Sequence, residues 1–285
     1  MTYLMAALLA LLAMASPAMG QELQGTLKKI KESGAMVIGY TENVRPFSFL
    51  GADGKPTGYS IDLCKRIAAA VQQELGLRDL ELRYVPVTAQ NRIKAVADGT
   101  IDIECGTSTN TLSRQEQVDF TNMTFVDGGS LLVTTASKIS RIADLADKRV
   151  AVMSGTTTER ALTEALKKSY VNAKVIAVKD HAEGVSALET GAVDAYASDN
   201  VILIGLALTA KNPGKLTLAD QQFSYEPYGF MTRRGDAPFR LVANRALARL
   251  YRSGQIFELY DRWFGALGRP SGALLIMYLL NGLPD

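Results

Sequence analysis

One pattern constrains this chain more than any other: short apolar runs alternate with helix-spaced apolar residues, and the alternation occurs twice. Residues 36–40 read as a buried strand. A helix follows with Leu63, Ile67, Ala70 and Val71 at helical spacing, and Ser60 or Asp62 as its expected cap. Residues 80–85 alternate as a second strand, 91–98 form a short helix stopped by Gly99, and 101–105 form a third strand. Strand, helix, strand, helix, strand requires a parallel sheet covered on both faces. The pattern restarts with strands at 130–134, 149–153, 173–178 and 194–197, and helices at 142–146, 156–168 and 182–189 between them.

The chain then reads as extended over 221–231 and as two helices over 239–250 and 255–264. The apolar faces of these helices need a core, and the first half is the compact candidate. Such a return makes two crossings, near 125–134 and 218–225, and two crossings make a hinge. The expectation is therefore an α/β protein of two lobes with parallel-dominated sheets joined by a two-strand hinge. Lobe 1 takes 21–127 plus 222–285, and lobe 2 takes 128–221. Ligands of open parallel sheets lie beyond the carboxyl ends of the strands. The cleft should be lined by 41–49, 107–114, 154–157 and 198–200.

Composition narrows the partners. The chain is 47% hydrophobic and 21% charged, which excludes a disordered or fibrous protein. Its 31 Lys and Arg against 29 Asp and Glu are interspersed, so nucleic acid and anionic membranes are not indicated. One histidine and two cysteines remove every zinc arrangement that needs several such ligands, and no metal or other cofactor is expected. Residues 3–15 are an apolar run too short to span a bilayer, followed by Ser16, Pro17, Ala18 and Gly20. This reads as a secretory signal over 1–20, and hence as export to an oxidising compartment. There Cys64 and Cys105 either bridge or remain two buried thiols.

The loops at the strand ends carry donors. Thr156 and Thr157, between a strand and a helix, offer hydroxyls and free backbone N–H groups to an anion, although one threonine could simply cap the helix. Thr107 and Thr109 form a second donor cluster, and Arg114 presents a planar fork suited to a carboxylate. Asp199 can hold an ammonium across the cleft. His181 either donates to a second carboxylate or is solvated. Phe47, Phe49 and Tyr84 could wall a small pocket or lie in the core. No nucleotide loop, GxSxG elbow or HExxH is present, and Asp102 with Glu104 share a strand face inside an apolar stretch. No catalytic residue is expected.

Together these motifs are similar to those of the extracytoplasmic solute-binding proteins of ABC importers for polar amino acids, most closely those for glutamate and aspartate. The matching stretches are GTLKKIKESGAMVIGY with RPFSF, GYSIDLCKRI, VPVTAQNRIKAVADGTIDIECGTSTNTLSRQEQVDFT, VMSGTTTERAL, AVKDHAEGVSALETGAVDAYASDN and EPYGFMTRRGD. The resemblance implies the periplasmic-binding-protein type II fold, a periplasmic location, a free amino acid as ligand and a membrane permease as partner. It implies that Arg114 clamps the α-carboxylate with Thr109 and the Thr107 backbone beside it. Thr156 and Thr157 are then second-lobe donors, Asp199 the anchor of the α-ammonium, and Arg92 and His181 the contacts of the side-chain carboxylate. Relatives often carry an arginine just after the first strand where this chain has Thr41, and Arg45 either replaces it or points outward. On that difference rests the choice between an acidic amino acid and an amide or other polar one. Among relatives a cyclohexadienyl dehydratase type of enzyme also occurs.

Overall fold

The computed structural model describes residues 23–284. The expected signal segment over 1–20 lies outside them. Among the described residues no helix is long and apolar enough to cross a membrane.

The first lobe opens with α1 (Gly25–Ser33), closed by Gly34 in the left-handed conformation. β1 (Ala35–Tyr40) leads into a small antiparallel sheet of β2 (Asn43–Val44), β3 (Ser48–Leu50) and β4 (Pro56–Thr57). Helix α2 (Tyr59–Glu74) follows, then β5 (Glu81–Pro86), α3 (Arg92–Ala97), β6 (Ile103–Glu104), α4 (Leu112–Gln115) and β7 (Val118–Asp127). The second lobe comprises β8 (Gly129–Thr134), β9 (Arg149–Met153), α5 (Thr157–Lys168), β10 (Lys174–Val178), α6 (His181–Glu189), β11 (Ala195–Asp199), α7 (Asn200–Thr209) and β12 (Leu216–Leu218). The chain returns through β13 (Glu226–Arg233) to α8 (Ala237–Arg252), α9 (Ile256–Phe264) and α10 (Gly272–Asn281).

Each large sheet has five strands, in the orders β5-β1-β6-β13-β7 and β10-β9-β11-β8-β12. The first three in each order pair in parallel, and the fourth is antiparallel to both of its neighbours. The returning β13 is inserted between β6 and β7, so a strand from the last part of the chain completes the first sheet. Helices α8 and α9 bury Phe239, Val242, Leu247, Ile256, Leu259 and Phe264 in the first-lobe core, where the sequence demanded a home for their apolar faces. That core contains an aromatic cluster in which Phe47 meets Tyr59, Phe125, Tyr228 and Phe264 at ring-centroid distances of 4.9–6.1 Å. The apolar tail forms α10, which packs Leu274, Met277 and Tyr278 into the same core.

Cys64 and Cys105 are joined, with Cα atoms 6.3 Å apart. The bridge ties α2 to the end of β6, next to the loop that carries Thr107 and Thr109.

Local chemistry corrects several sequence expectations. Neither Ser60 nor Asp62 caps α2. The cap position is Gly58, at φ 128°, where any Cβ would collide with the Phe47 carbonyl. Ser60 instead donates to the Gly106 carbonyl (2.9 Å), and Asp62 accepts from the Trp263 indole (3.0 Å). The third strand shrinks to Ile103 and Glu104, because Asp102 turns to Lys29 (2.7 Å) and the Val37 amide (2.8 Å). The return strand starts at Glu226 rather than 221.

Candidate ligand-binding cleft

The two crossings run side by side. Glu226, the first residue of β13, pairs with Asp127, the last of β7, and the chain passes through Gly128 into β8. Asp127 Oδ2 accepts from the Val201 amide (2.9 Å) and Asn200 N–H donates to the Gly128 carbonyl (2.9 Å), so the start of α7 is bonded to the hinge. Burial and the neighbouring Asp199 push the Asp127 carboxyl up to about 8. Between the lobes lies a cavity of about 50 Å³, lined by Thr41, Val44, Ala89, Arg92, Thr107 and Thr109 from the first lobe. Its other wall is Met153, Thr156, Thr157, Thr158, His181, Ser198, Asp199 and Ile202. The lobes touch around it: Gln90 Nε2 donates to the Ser154 carbonyl (3.1 Å), and the Thr109 and Thr157 hydroxyls lie 3.1 Å apart. Ile202 of α7 joins the first-lobe core, and one turn on a Cβ at Gly205 would stand 2.5 Å from the Arg45 carbonyl oxygen.

The first-lobe wall is a loop stitched to β13. Asn110 N–H donates to the Pro227 carbonyl (2.7 Å), Gly229 N–H to the Ser108 carbonyl (3.1 Å), and Thr109 bridges Tyr228. Thr111 caps α4, its hydroxyl accepting from the Arg114 amide (3.2 Å). This turn directs Arg114 inward, where it is 5% exposed and donates from Nη1 to the Thr109 carbonyl (2.7 Å). Burial, with Arg92 nearby, lowers its guanidinium to about 10, still charged at neutral pH. Arg92, the first residue of α3, borders the cavity and is 7% exposed. Its buried Nε has no hydrogen-bond partner among the described residues. Behind the arginines, Glu104 accepts from Ser108 (2.7 Å), and its carboxyl is raised chiefly by burial. Asp102 and Glu104 are thus bonded to different partners and do not act as a pair.

The second-lobe wall is built on helix starts. Thr156 caps α5: its hydroxyl accepts from Glu159 N–H (3.1 Å) and donates to the Met153 carbonyl (2.8 Å). The following N–H groups, of Thr157 and Thr158, lack intrahelical acceptors, as at every helix start. Asp180 caps α6 and so places His181 as its first residue, 3% exposed. Burial lowers the imidazole to about 4, so it is neutral at pH 7. Asp199 ends β11; Oδ1 accepts from Thr158 (2.6 Å) and Oδ2 from the Tyr228 hydroxyl. Burial, then Glu226, raises its carboxyl to about 6.

Seven of the residues singled out in the sequence meet at this cavity: Arg92, Thr107, Thr109, Thr156, Thr157, His181 and Asp199. Arg114 stands behind Thr109 rather than on the wall. Arg45 and Phe47 do not line the cavity. Arg45 is exposed, with its guanidinium 3.8 Å above the Phe49 ring, and Phe47 is wholly buried in the aromatic cluster. Phe49 packs on Trp263 and Tyr84 on Tyr40, so neither walls the pocket. The sequence reading missed Glu226 and Tyr228. EPY was visible as a motif, but only the return of β13 beside the hinge brings it to the cleft.

The family model for bacterial extracellular solute-binding proteins, family 3, matches residues 36–266. The chain belongs to this family. It is 41% identical over 260 residues to an L-glutamate/L-aspartate-binding protein of Pseudomonas aeruginosa, a match that covers 91% of this chain and 86% of the relative. The glutamate/aspartate import solute-binding protein of Escherichia coli is 36% identical over 250 residues, covering 88% and 82% of the two chains. Among solved structures, an ancestral arginine-binding protein bound to glutamine superposes with a TM-score of 0.72 at 30% identity, covering 81% of this chain and 98% of its own. This family-3 chain is a solute-binding protein of the two-lobe type II fold, and the relatives named above are binding proteins.

Proposed function

We propose that this protein captures glutamate or aspartate in the periplasm and delivers it to the permease of an ABC importer. The observation that carries the reading is Arg92: a buried guanidinium on the cavity wall whose Nε has no hydrogen-bond partner among the described residues, opposite the carboxylate of Asp199. An unsatisfied buried donor is costly, and a ligand carboxylate relieves it. In this proposal Arg114 and the backbone of Thr107 and Thr109 take the α-carboxylate in the open form. Closure then adds the N–H groups at the start of α5 and the Asp199 carboxylate, which holds the α-ammonium. Charge-assisted hydrogen bonds worth about 1.5–3 kcal/mol each, less ordering and desolvation, are enough for micromolar binding, about −8 kcal/mol. Arg92, with neutral His181 beside it, receives the side-chain carboxylate. The glutamate/aspartate specificity named for two relatives supports this choice.

Thr41 favours a second reading, an amide ligand such as glutamine. It borders the cavity with its hydroxyl donating to the Ser48 carbonyl (3.2 Å), and among the described residues Arg92 is the only Lys or Arg in the cavity lining. A thermal-shift screen of the twenty amino acids, followed by calorimetry, tests both. Stabilisation by glutamate and aspartate supports the proposal; a response confined to glutamine or asparagine overturns it.

A further inference from the structure

β13 brings two hydrogen-bonding side chains to the pivot. Glu226 and Tyr228 are two residues apart on one strand, hence on the same face, and both are 1% exposed. Glu226 Oε1 accepts from Ser224 (2.6 Å), itself bonded by the Gly129 amide (2.9 Å), which fixes the carboxylate at the hinge. Oε2 accepts from Thr109 of the first lobe and from Thr157 of the second, each at 2.6 Å. The Tyr228 ring is held in the first-lobe core against Phe47 (5.6 Å) and Phe125 (6.2 Å), while its hydroxyl donates to Asp199 of the second lobe. Two hydrogen bonds to carboxylates therefore cross the cleft between groups of the chain itself. Both are lost when Thr157 and Asp199 swing away with their lobe.

We propose that Glu226 and Tyr228 form a two-point latch that stabilises the closed form before a ligand arrives and so sets affinity for every accepted ligand by a common factor. The proposal rests on the capture-and-closure reading above. A ligand's apparent affinity scales with the population of the competent conformation, so Glu226 and Tyr228, neither of which lines the cavity, raise affinity without altering selectivity. It also occupies the Thr109 and Thr157 hydroxyls. Ligand carboxylates are left to the backbone N–H groups and the arginines.

The test uses electron-resonance distances between spin labels at Arg66→Cys in the first lobe and Lys168→Cys in the second. Both sites are exposed, and the native cysteines are bridged, so only the introduced thiols react. Ligand-free parent protein should show a closed population. Tyr228→Phe and Thr157→Val, which each delete one hydroxyl and keep the packing, should each lower the closed-to-open ratio about tenfold. Tyr228→Phe should also weaken all accepted amino acids by one shared factor. Distance distributions of both variants that superimpose on the parent overturn the latch, as does a fully open ligand-free parent. Losses that differ between ligands also overturn it, because they place Tyr228 among the recognition contacts. If no amino acid binds the parent, the transport reading fails, while the ligand-free distances still decide the latch.

Discussion

His181 Nδ1 and the Tyr196 hydroxyl lie 2.7 Å apart at the second-lobe wall of the cleft. The tyrosine fixes one ring nitrogen, and burial keeps the imidazole neutral by lowering it from 6.5 to about 4. In the unfolded chain the ring protonates near pH 6.5. Between pH 6.5 and 4 the unfolded state binds more protons than the folded state, so stability must fall as pH drops through this window. Melting curves from pH 4 to 8 should show a component of this decline that His181→Gln removes. Parallel curves for parent and variant would contradict the neutral buried ring.

Asp199 predicts the opposite partner's behaviour. Its carboxyl is raised to about 6, and an ammonium ligand binds only the ionised form. Below pH 6 a proton must first be lost, so the Kd should weaken about tenfold per pH unit and flatten above pH 7. Calorimetry at pH 6 in buffers of different ionisation heat should register proton release. Asp199→Asn should abolish amino acid binding.

Arg92→Met should separate acidic from amide ligands. Leaving a buried carboxylate unpaired costs about 3 kcal/mol or more, a hundredfold or greater loss for glutamate. Glutamine, which buries no charge there, should lose less than about tenfold. Equal losses measured by calorimetry would remove Arg92 from the side-chain subsite.

Arg114→Ala should abolish binding of every amino acid while the circular dichroism spectrum and cooperative melting persist. Arg114→Lys keeps the charge but not the fork, and should bind at least tenfold more weakly than the parent. Tight binding by Arg114→Ala would assign the α-carboxylate elsewhere.

The Cys64–Cys105 bridge closes a loop with a separation of 41 residues. Its loss should cost about 4 kcal/mol through the freed unfolded chain. Replacing both cysteines with alanine should lower the Tm by roughly 10 °C. An unchanged Tm would show that α2 and β6 hold together without the covalent tie.

Much of this architecture was legible because parallel strands and their covering helices leave periodic apolar marks. Residues 36–40, 149–153 and 173–178 each coincide with a strand, shifted by a residue at most. α7 left no such mark: VILIGLAL is apolar on all sides, because it packs both on its own sheet and across the cleft. β7 was missed because Asp119 and Asn122 interrupt its apolar run, one beside Arg240 (3.5 Å) and the other bonded through its amide to Asn244 (2.7 Å). Within the site, residues at strand ends and helix starts were readable from local pattern. Glu226 was not, because its partners Thr109 and Thr157 are 117 and 69 residues away in the chain. Whether Arg45 replaced the missing arginine or pointed outward stayed open in the sequence for a related reason. Only the neighbouring Phe49 ring, brought beneath it by the β2–β3 turn, draws the guanidinium outward.

Gly205 fixes how far the clamshell can shut. Its bare Cα lets the second-lobe helix rest directly on the peptide chain at Arg45. Adding one methyl there would act as a doorstop, holding the jaws ajar while leaving both gripping surfaces chemically whole. Grasp and swing are thus separable properties of this molecule, one written in charged side chains and the other in a missing carbon atom.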